Sequence, residues 1–270
     1  MAIKMGTPKP KTLDTNLTIQ NATFVDSFSV VNEENGPTSL HFNSNGTKVF
    51  IVGTGSTDVL QYNLSTAYDI STATYSGLSF DISNQTLNPV GLTFNPTGLK
   101  MYVTAVVTDA IFEYTLTTGF DITTASYTNN SFSFASQDGN PREAIFNDDG
   151  TKLFMIGLNT NSLYEYSLTT AYDISTASYT GTSFSVSSQQ GSSRGFNFNS
   201  IGTKLFVVGA SPDSAHEYDL STGFDISTAV YTGISFAIAD SGPGGIVFKP
   251  DGTKAFIVGQ GGDSIYEYDL

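Results

Sequence analysis

A Gly-Thr-Lys or Gly-Leu-Lys tripeptide recurs five times along the chain, its glycine at Gly46, Gly98, Gly150, Gly202 and Gly252, in steps of 52, 52, 52 and 50 residues. A tyrosine follows the same steps at Tyr62, Tyr114, Tyr166, Tyr218 and Tyr268. A Ser-Phe pair recurs with Phe28, Phe80, Phe132, Phe184 and Phe236, and another phenylalanine with Phe42, Phe94, Phe146, Phe198 and Phe248. A fixed period of this length marks a chain built from one stacked supersecondary unit. Five copies of every marker mean five units.

Each unit reads as four short strands. In the third they are Arg142–Phe146, Lys152–Gly157, Ser162–Leu168 and Ser178–Val186, separated by clusters of Gly, Asn, Asp, Ser and Thr. The second and third strands are apolar on both faces, as in sheets sandwiched between other sheets, whereas the fourth is polar enough for an outer edge. No segment sustains a helical period.

The chain ends decide how the units are arranged. The last unit stops at Leu270 without a fourth strand, and the chain begins with a spare one around Phe28. A missing and a spare strand complete each other in a ring and remove the open edges; an open solenoid would want capping repeats instead. The expected fold is therefore all-β, a five-bladed β-propeller of four-stranded blades over residues 22–270, closed by the N-terminal strand completing the C-terminal blade. Residues 1–21 fall outside the repeat. They carry Lys4, Lys9 and Lys11 with Pro8 and Pro10, an extended basic arm on an acidic chain, expected to anchor it to a larger assembly.

Asp and Glu number 25 against 11 Lys and Arg, a formal net charge of −14. That balance excludes a nucleic-acid partner, which needs a basic footprint, and docking on an anionic membrane. The absence of cysteine excludes disulfides, thiolate metal sites and cysteine nucleophiles. No apolar run is long enough to insert in a membrane, and no secretory signal is visible at the N-terminus, so synthesis in the cytoplasm is expected.

In a propeller, the loops joining strands one to two and three to four share one face of the disc. Here that face is nearly identical in every copy. It repeats Asn-x-x-Gly turns and a long loop bearing Asp69, Asp121, Asp173 and Asp225, read as Asx turns and not calcium ligands. The opposite face varies from copy to copy, and an asymmetric partner or ligand needs broken symmetry. Residues that break the repeat there are Arg142, Glu143 and Arg194 at the entrances of first strands, with Glu33, Glu34 and Asp240 in the connectors; together they form the candidate partner or ligand face. Lys48, Lys100, Lys152, Lys204 and Lys254 face Gln61, Glu113, Glu165, Glu217 and Glu267 across adjacent strands, an arrangement for structural ion pairs. His41 aligns with Thr93, Ile145, Asn197 and Val247 on the innermost strand, near the channel. His216 replaces aromatics and is expected to pack as one. Close copies in every unit, no Trp, and no serine–histidine–acid set, phosphate loop or zinc motif argue against an enzyme, and no cofactor or metal site is expected.

The segments Gly-Thr-Lys-Leu-Phe-Met-Ile-Gly (150–157), Leu-Tyr-Glu-Tyr-Ser-Leu-Thr-Thr-Ala-Tyr-Asp-Ile-Ser-Thr-Ala (163–177) and Ser-Phe-Ser-Val (183–186) resemble β-propeller repeats of marine and cyanobacterial tailed-phage virion proteins and of some marine bacterial surface proteins. The resemblance covers residues 23–270. It implies a non-enzymatic accessory role in a virion, as capsid or tail decoration or adhesin, with other virion proteins held by the arm and a host-surface glycan as a further partner. A stand-alone glycan-binding propeller, of the five-bladed lectin kind, is the alternative, and a glycan-active enzyme a third reading.

Overall fold

Each repeat folds into one antiparallel sheet whose four strands lie in sequence order. In the first they are Pro37–Phe42, Lys48–Gly53, Asp58–Leu64 and Ala73–Asp81. The computed structural model describes residues 16–270, and these make five such four-stranded sheets. The innermost strands, Pro37–Phe42, Pro89–Phe94, Pro141–Phe146, Ser193–Phe198 and Pro243–Phe248, pack against one another around a central axis. Proline opens four of the five, a position where its missing N–H costs little.

The fifth sheet takes its outer strand from the other end of the chain. Thr23–Ser29 pairs antiparallel with Ser264–Asp269, from Thr23 opposite Asp269 to Ser29 opposite Ser264, with a register shift between Phe24 and Asp26. The expected closure is shown, and the protein is a five-bladed β-propeller. Closure begins before that strand. Leu17 and Ile19 are buried among Phe206, Val208, Ile257 and Tyr268, and the Ile19 N–H donates to Glu217 at 3.0 Å. In the first blade the Ile70 N–H donates to Glu267 at 3.1 Å. Residues 17–19 thus fill the place that an isoleucine-bearing loop fills in the other blades, so this part of the expected arm belongs to the packed body. Lys4, Lys9 and Lys11 lie outside the described residues.

The core lies between blades, which is why second and third strands are apolar on both faces. Val49, Phe50, Ile51 and Val52 are all inaccessible, divided between two neighbouring clusters. The repeated tyrosines, Tyr62 to Tyr268, are buried in the same way. In four blades the hydroxyl donates to the connector entering its own blade: Tyr62 to Glu33 at 3.2 Å, Tyr114 to Gln85 at 3.2 Å, Tyr166 to Gln137 at 3.3 Å and Tyr218 to Gln189 at 3.4 Å. A buried tyrosine keeps both its large apolar area and a satisfied hydroxyl this way.

The near-identical face is built from local chemistry repeated four times. Asp69, Asp121, Asp173 and Asp225 each accept the backbone N–H two residues on, capping the short 3-10 turns Ile70–Thr72, Ile122–Thr124, Ile174–Thr176 and Ile226–Thr228. Just before each cap an aromatic, Tyr68, Phe120, Tyr172 or Phe224, adopts positive φ and lays its ring over a repeat glycine. A Cβ on Gly98 would stand 2.3 Å from the Phe120 ring, at φ +69°. The tripeptide needs glycine for both reasons. The strand-two lysines pair with strand-three glutamates, as in Lys100–Glu113 at 3.1 Å and Lys152–Glu165 at 2.9 Å. Lys100 and Lys152 also donate to Tyr172 O and Phe224 O of the next blade, each at 2.8 Å, tying blade to blade.

Candidate functional site

The inner strands bring five residues to each level of the axis, so the repeat columns become rings. The level of Ser39, Gly91, Glu143, Gly195 and Gly245 holds four small residues and one long acid. Glu143 fills the space left open at Gly91 and Gly245. A Cβ added to Gly91 would sit 2.9 Å from its Oε1, and one added to Gly245 would sit 3.2 Å from its Oε2. Ser39 Oγ donates to Glu143 Oε2 at 2.7 Å and accepts from the Leu92 N–H at 3.1 Å. Oε1 is buried without a hydrogen-bond partner. Burial pushes this carboxyl up to about 8, outweighing the opposing pull of Ser39 and of nearby backbone N–H groups.

Glu143 forms the floor of a cavity of about 390 Å³. That volume suits a small organic ligand. Above the floor lies the ring of His41, Thr93, Ile145, Asn197 and Val247, different in every blade, and then the ring of Phe42, Phe94, Phe146, Phe198 and Phe248. The cavity opens on the face whose turns are near-identical, past Asn43, Asn95, Asn147, Asn199 and Lys249. His41 stands 5.3 Å from the Phe94 ring, and burial lowers it to about 4, leaving a neutral imidazole with one donor and one acceptor. Asn197 is committed to backbone, donating to Ile246 O at 3.0 Å and accepting from the Phe198 N–H at 2.9 Å. Lys249 at the mouth is paired with Asp251 at 2.8 Å.

The six residues expected to form a face of their own divide by role. Glu34 accepts from the Gly55 N–H at 2.6 Å and from Ser56 N and Oγ at 3.0 and 2.8 Å. Asp240 accepts from Gly261 N at 2.9 Å, Gly262 N at 2.6 Å and the Tyr266 hydroxyl at 2.7 Å. Both brace a connector against a hairpin tip, as Asp138 does with Thr160 and Gln190 with Ser211. Glu33 receives the Tyr62 hydroxyl. Arg142 and Arg194 stand one level beyond Glu143, toward the variable face. Glu143 alone belongs to the cavity. His41 and Thr93 were outside the expected set, although five different residues in their repeat column were a visible signal. His216 packs as expected, buried beside Tyr231 and bonded to Ser214 at 2.8 Å. Among the described residues no group of three or more His, Cys, Asp or Glu is arranged to hold a metal ion, and no helix is long and apolar enough to cross a membrane.

The class defined by this fold and cavity is a five-bladed propeller with an axial pocket. No protein-family model matches the chain, and no curated protein does either. Among solved structures, it is similar to a proposed 6-phosphogluconolactonase from Bacteroides fragilis, at 14% identity and TM-score 0.55, covering 86% of this chain and 80% of that one. A second protein so described, from Bacteroides uniformis, matches at 14% identity and TM-score 0.53, over 84% of this chain but only 64% of the other. A Lactobacillus plantarum protein matches at 12% identity and TM-score 0.53, over 86% and 67%. At such identities the likeness establishes the fold. It also corrects the expectation of a virion accessory protein without enzymatic activity: two of these similar propellers are described as 6-phosphogluconolactonases. The physical reason the expectation failed is that it weighed the close copies in the loops, whereas the copies diverge on the inner strands.

Proposed function

We propose that the protein is a hydrolase of small uncharged lactones or related esters, working in the axial cavity with Glu143 as general base. The observation that carries this reading is the single carboxyl at the cavity floor, held in a ring of serine and glycines with one oxygen unpartnered and its affinity for protons raised into the working range. General-base efficiency is greatest when the pKa lies near the operating pH. The names of similar structures support the choice of lactones.

In this mechanism the Glu143 carboxylate removes a proton from water as the water oxygen bonds to the lactone carbonyl carbon. The ring C–O bond then breaks, and the departing oxygen takes that proton from Glu143, so lactone and water give the hydroxy acid. The neutral His41 imidazole and the Thr93 hydroxyl offer donors one ring above. Aromatic walls, and a mouth lysine already paired with Asp251, favour a substrate without charge.

A panel of γ- and δ-lactones, neutral and phosphorylated, tests this by titrating released acid. The expected result is turnover of a neutral lactone above the spontaneous rate, reduced at least ~100-fold in Glu143→Gln, within the usual range for losing a general base. Equal turnover by wild type and Glu143→Gln, or none on any lactone or ester, contradicts it.

A further inference from the structure

We infer that the opposite mouth of the axial channel holds a binding site for a small dianionic oxyanion, formed by the guanidinium groups of Arg142 and Arg194. The two arginines occupy the same register of neighbouring inner strands, in a ring completed by Thr38, Val90 and Gly244. The Nε of each is buried without a hydrogen-bond partner. Among the described residues no carboxylate lies within ion-pair distance of either; Arg194 Nη1 donates only to the side-chain oxygen of Gln260.

The carboxylates that favour the charged forms, Asp138 for Arg142 and Asp213 for Arg194, act from beyond ion-pair distance and make their hydrogen bonds elsewhere. Asp138 accepts from Asn140 N at 2.8 Å and from Thr160 N and Oγ1 at 2.9 and 2.7 Å. Asp213 accepts from Gly242 N at 2.9 Å. The Thr38 hydroxyl is turned to Val52 O and Pro89 O, at 3.2 and 3.3 Å. Glu143, the next residue to Arg142, points into the glycine ring and toward Ser39, and below about pH 8 it is uncharged. Burial and the neighbouring Arg194 both lower the proton affinity of Arg142, the signature of two cations crowded together. On a chain of net charge −14, two half-buried cations side by side with idle donors are costly unless a counter-ion joins them. Guanidinium forks bind oxyanions with paired, charge-assisted hydrogen bonds. Arg194 packs on Gly242, where a Cβ would stand 3.4 Å from Nη1. The site is separated from the lactone cavity by the Glu143 ring and does not depend on it.

Calorimetric titration with inorganic phosphate at about pH 7.5 in low chloride tests the site, using the full chain. Saturable binding is expected for wild type, weakened at least ~10-fold by Arg142→Gln and by Arg194→Gln, and unchanged by Lys249→Gln at the other mouth. In phosphate-free buffer both arginine variants should melt at or above wild type, because each relieves a like-charge contact. Absence of saturable binding, binding indifferent to both arginine variants, or arginine variants that melt several degrees lower without phosphate would each overturn the inference. Glu143→Gln should bind phosphate normally, which separates this result from the fate of the hydrolase reading.

Discussion

Glu143 carries opposite consequences for stability and for chemistry. Its folded pKa of about 8 lies above the ordinary 4.5, so between those values the folded chain holds a proton that the unfolded chain has lost. Stability from this group therefore falls as pH rises from 4.5 through 8. Glu143→Gln removes the titration while keeping the shape. It should stabilise the protein on the order of 5 kcal/mol at about pH 9, at ~1.4 kcal/mol for each tenfold change in proton affinity, with the gain vanishing near pH 4. Urea denaturation across that range checks it. His41 works in the other direction: lowered from 6.5 to about 4, it costs stability as pH falls through that window, because only the unfolded chain takes up the proton. A different residue-scale prediction concerns Gly98. Alanine there combines positive φ with a collision against Phe120, and should cost about 2 kcal/mol or more in chemical denaturation. Glu143 was legible in the sequence as a break in the repeat, and so was the His41 column. Their depth was not. All five inner strands shift register near their first residue, as between Pro141 and Ala144 in the third, and an irregularity of that kind cannot be read from spacing.

At the scale of elements, the ring is held shut by the N-terminal segment twice over. Thr23–Ser29 supplies a strand, and Leu17 and Ile19 supply the missing loop. The sequence announced the strand through the Ser-Phe marker at Phe28, which shares its pattern with four others. It did not announce Ile19, because Leu-Thr-Ile-Gln-Asn lacks the Tyr-Asp-Ile-Ser-Thr signature of the loop it replaces. Ile19→Ala removes a fully buried side chain at the closure and should cost ~2–5 kcal/mol. Hydrogen exchange should show the added opening concentrated in Ser264–Asp269 and its partner strand; uniform loss across all blades would count against a closure role. Loop and connector carboxylates were harder to interpret from sequence. Glu34 and Asp240 break the repeat in identity but preserve its job, bracing hairpin tips through whatever acceptor each copy carries.

For the whole molecule, five close copies build a scaffold whose symmetry is broken most sharply along its axis. Loops that repeat almost verbatim surround a cavity whose lining differs from blade to blade, because the inner strands are shaped by neighbours at the axis and not by the common hairpin chemistry. The fold was legible in period and chain ends; the cavity was not, since no periodicity specifies how far five inner strands stand apart. If the axial carboxyl does the chemistry, its titration must appear in the rate. The pH dependence of kcat/KM for the best neutral lactone, corrected for spontaneous hydrolysis, reads that titration without an intermediary. The rate should rise with an apparent pKa near 8 to a plateau, and Glu143→Gln should lose both the activity and that inflection. A profile without an inflection near 8, or one that survives in Glu143→Gln, would contradict a catalytic role for Glu143.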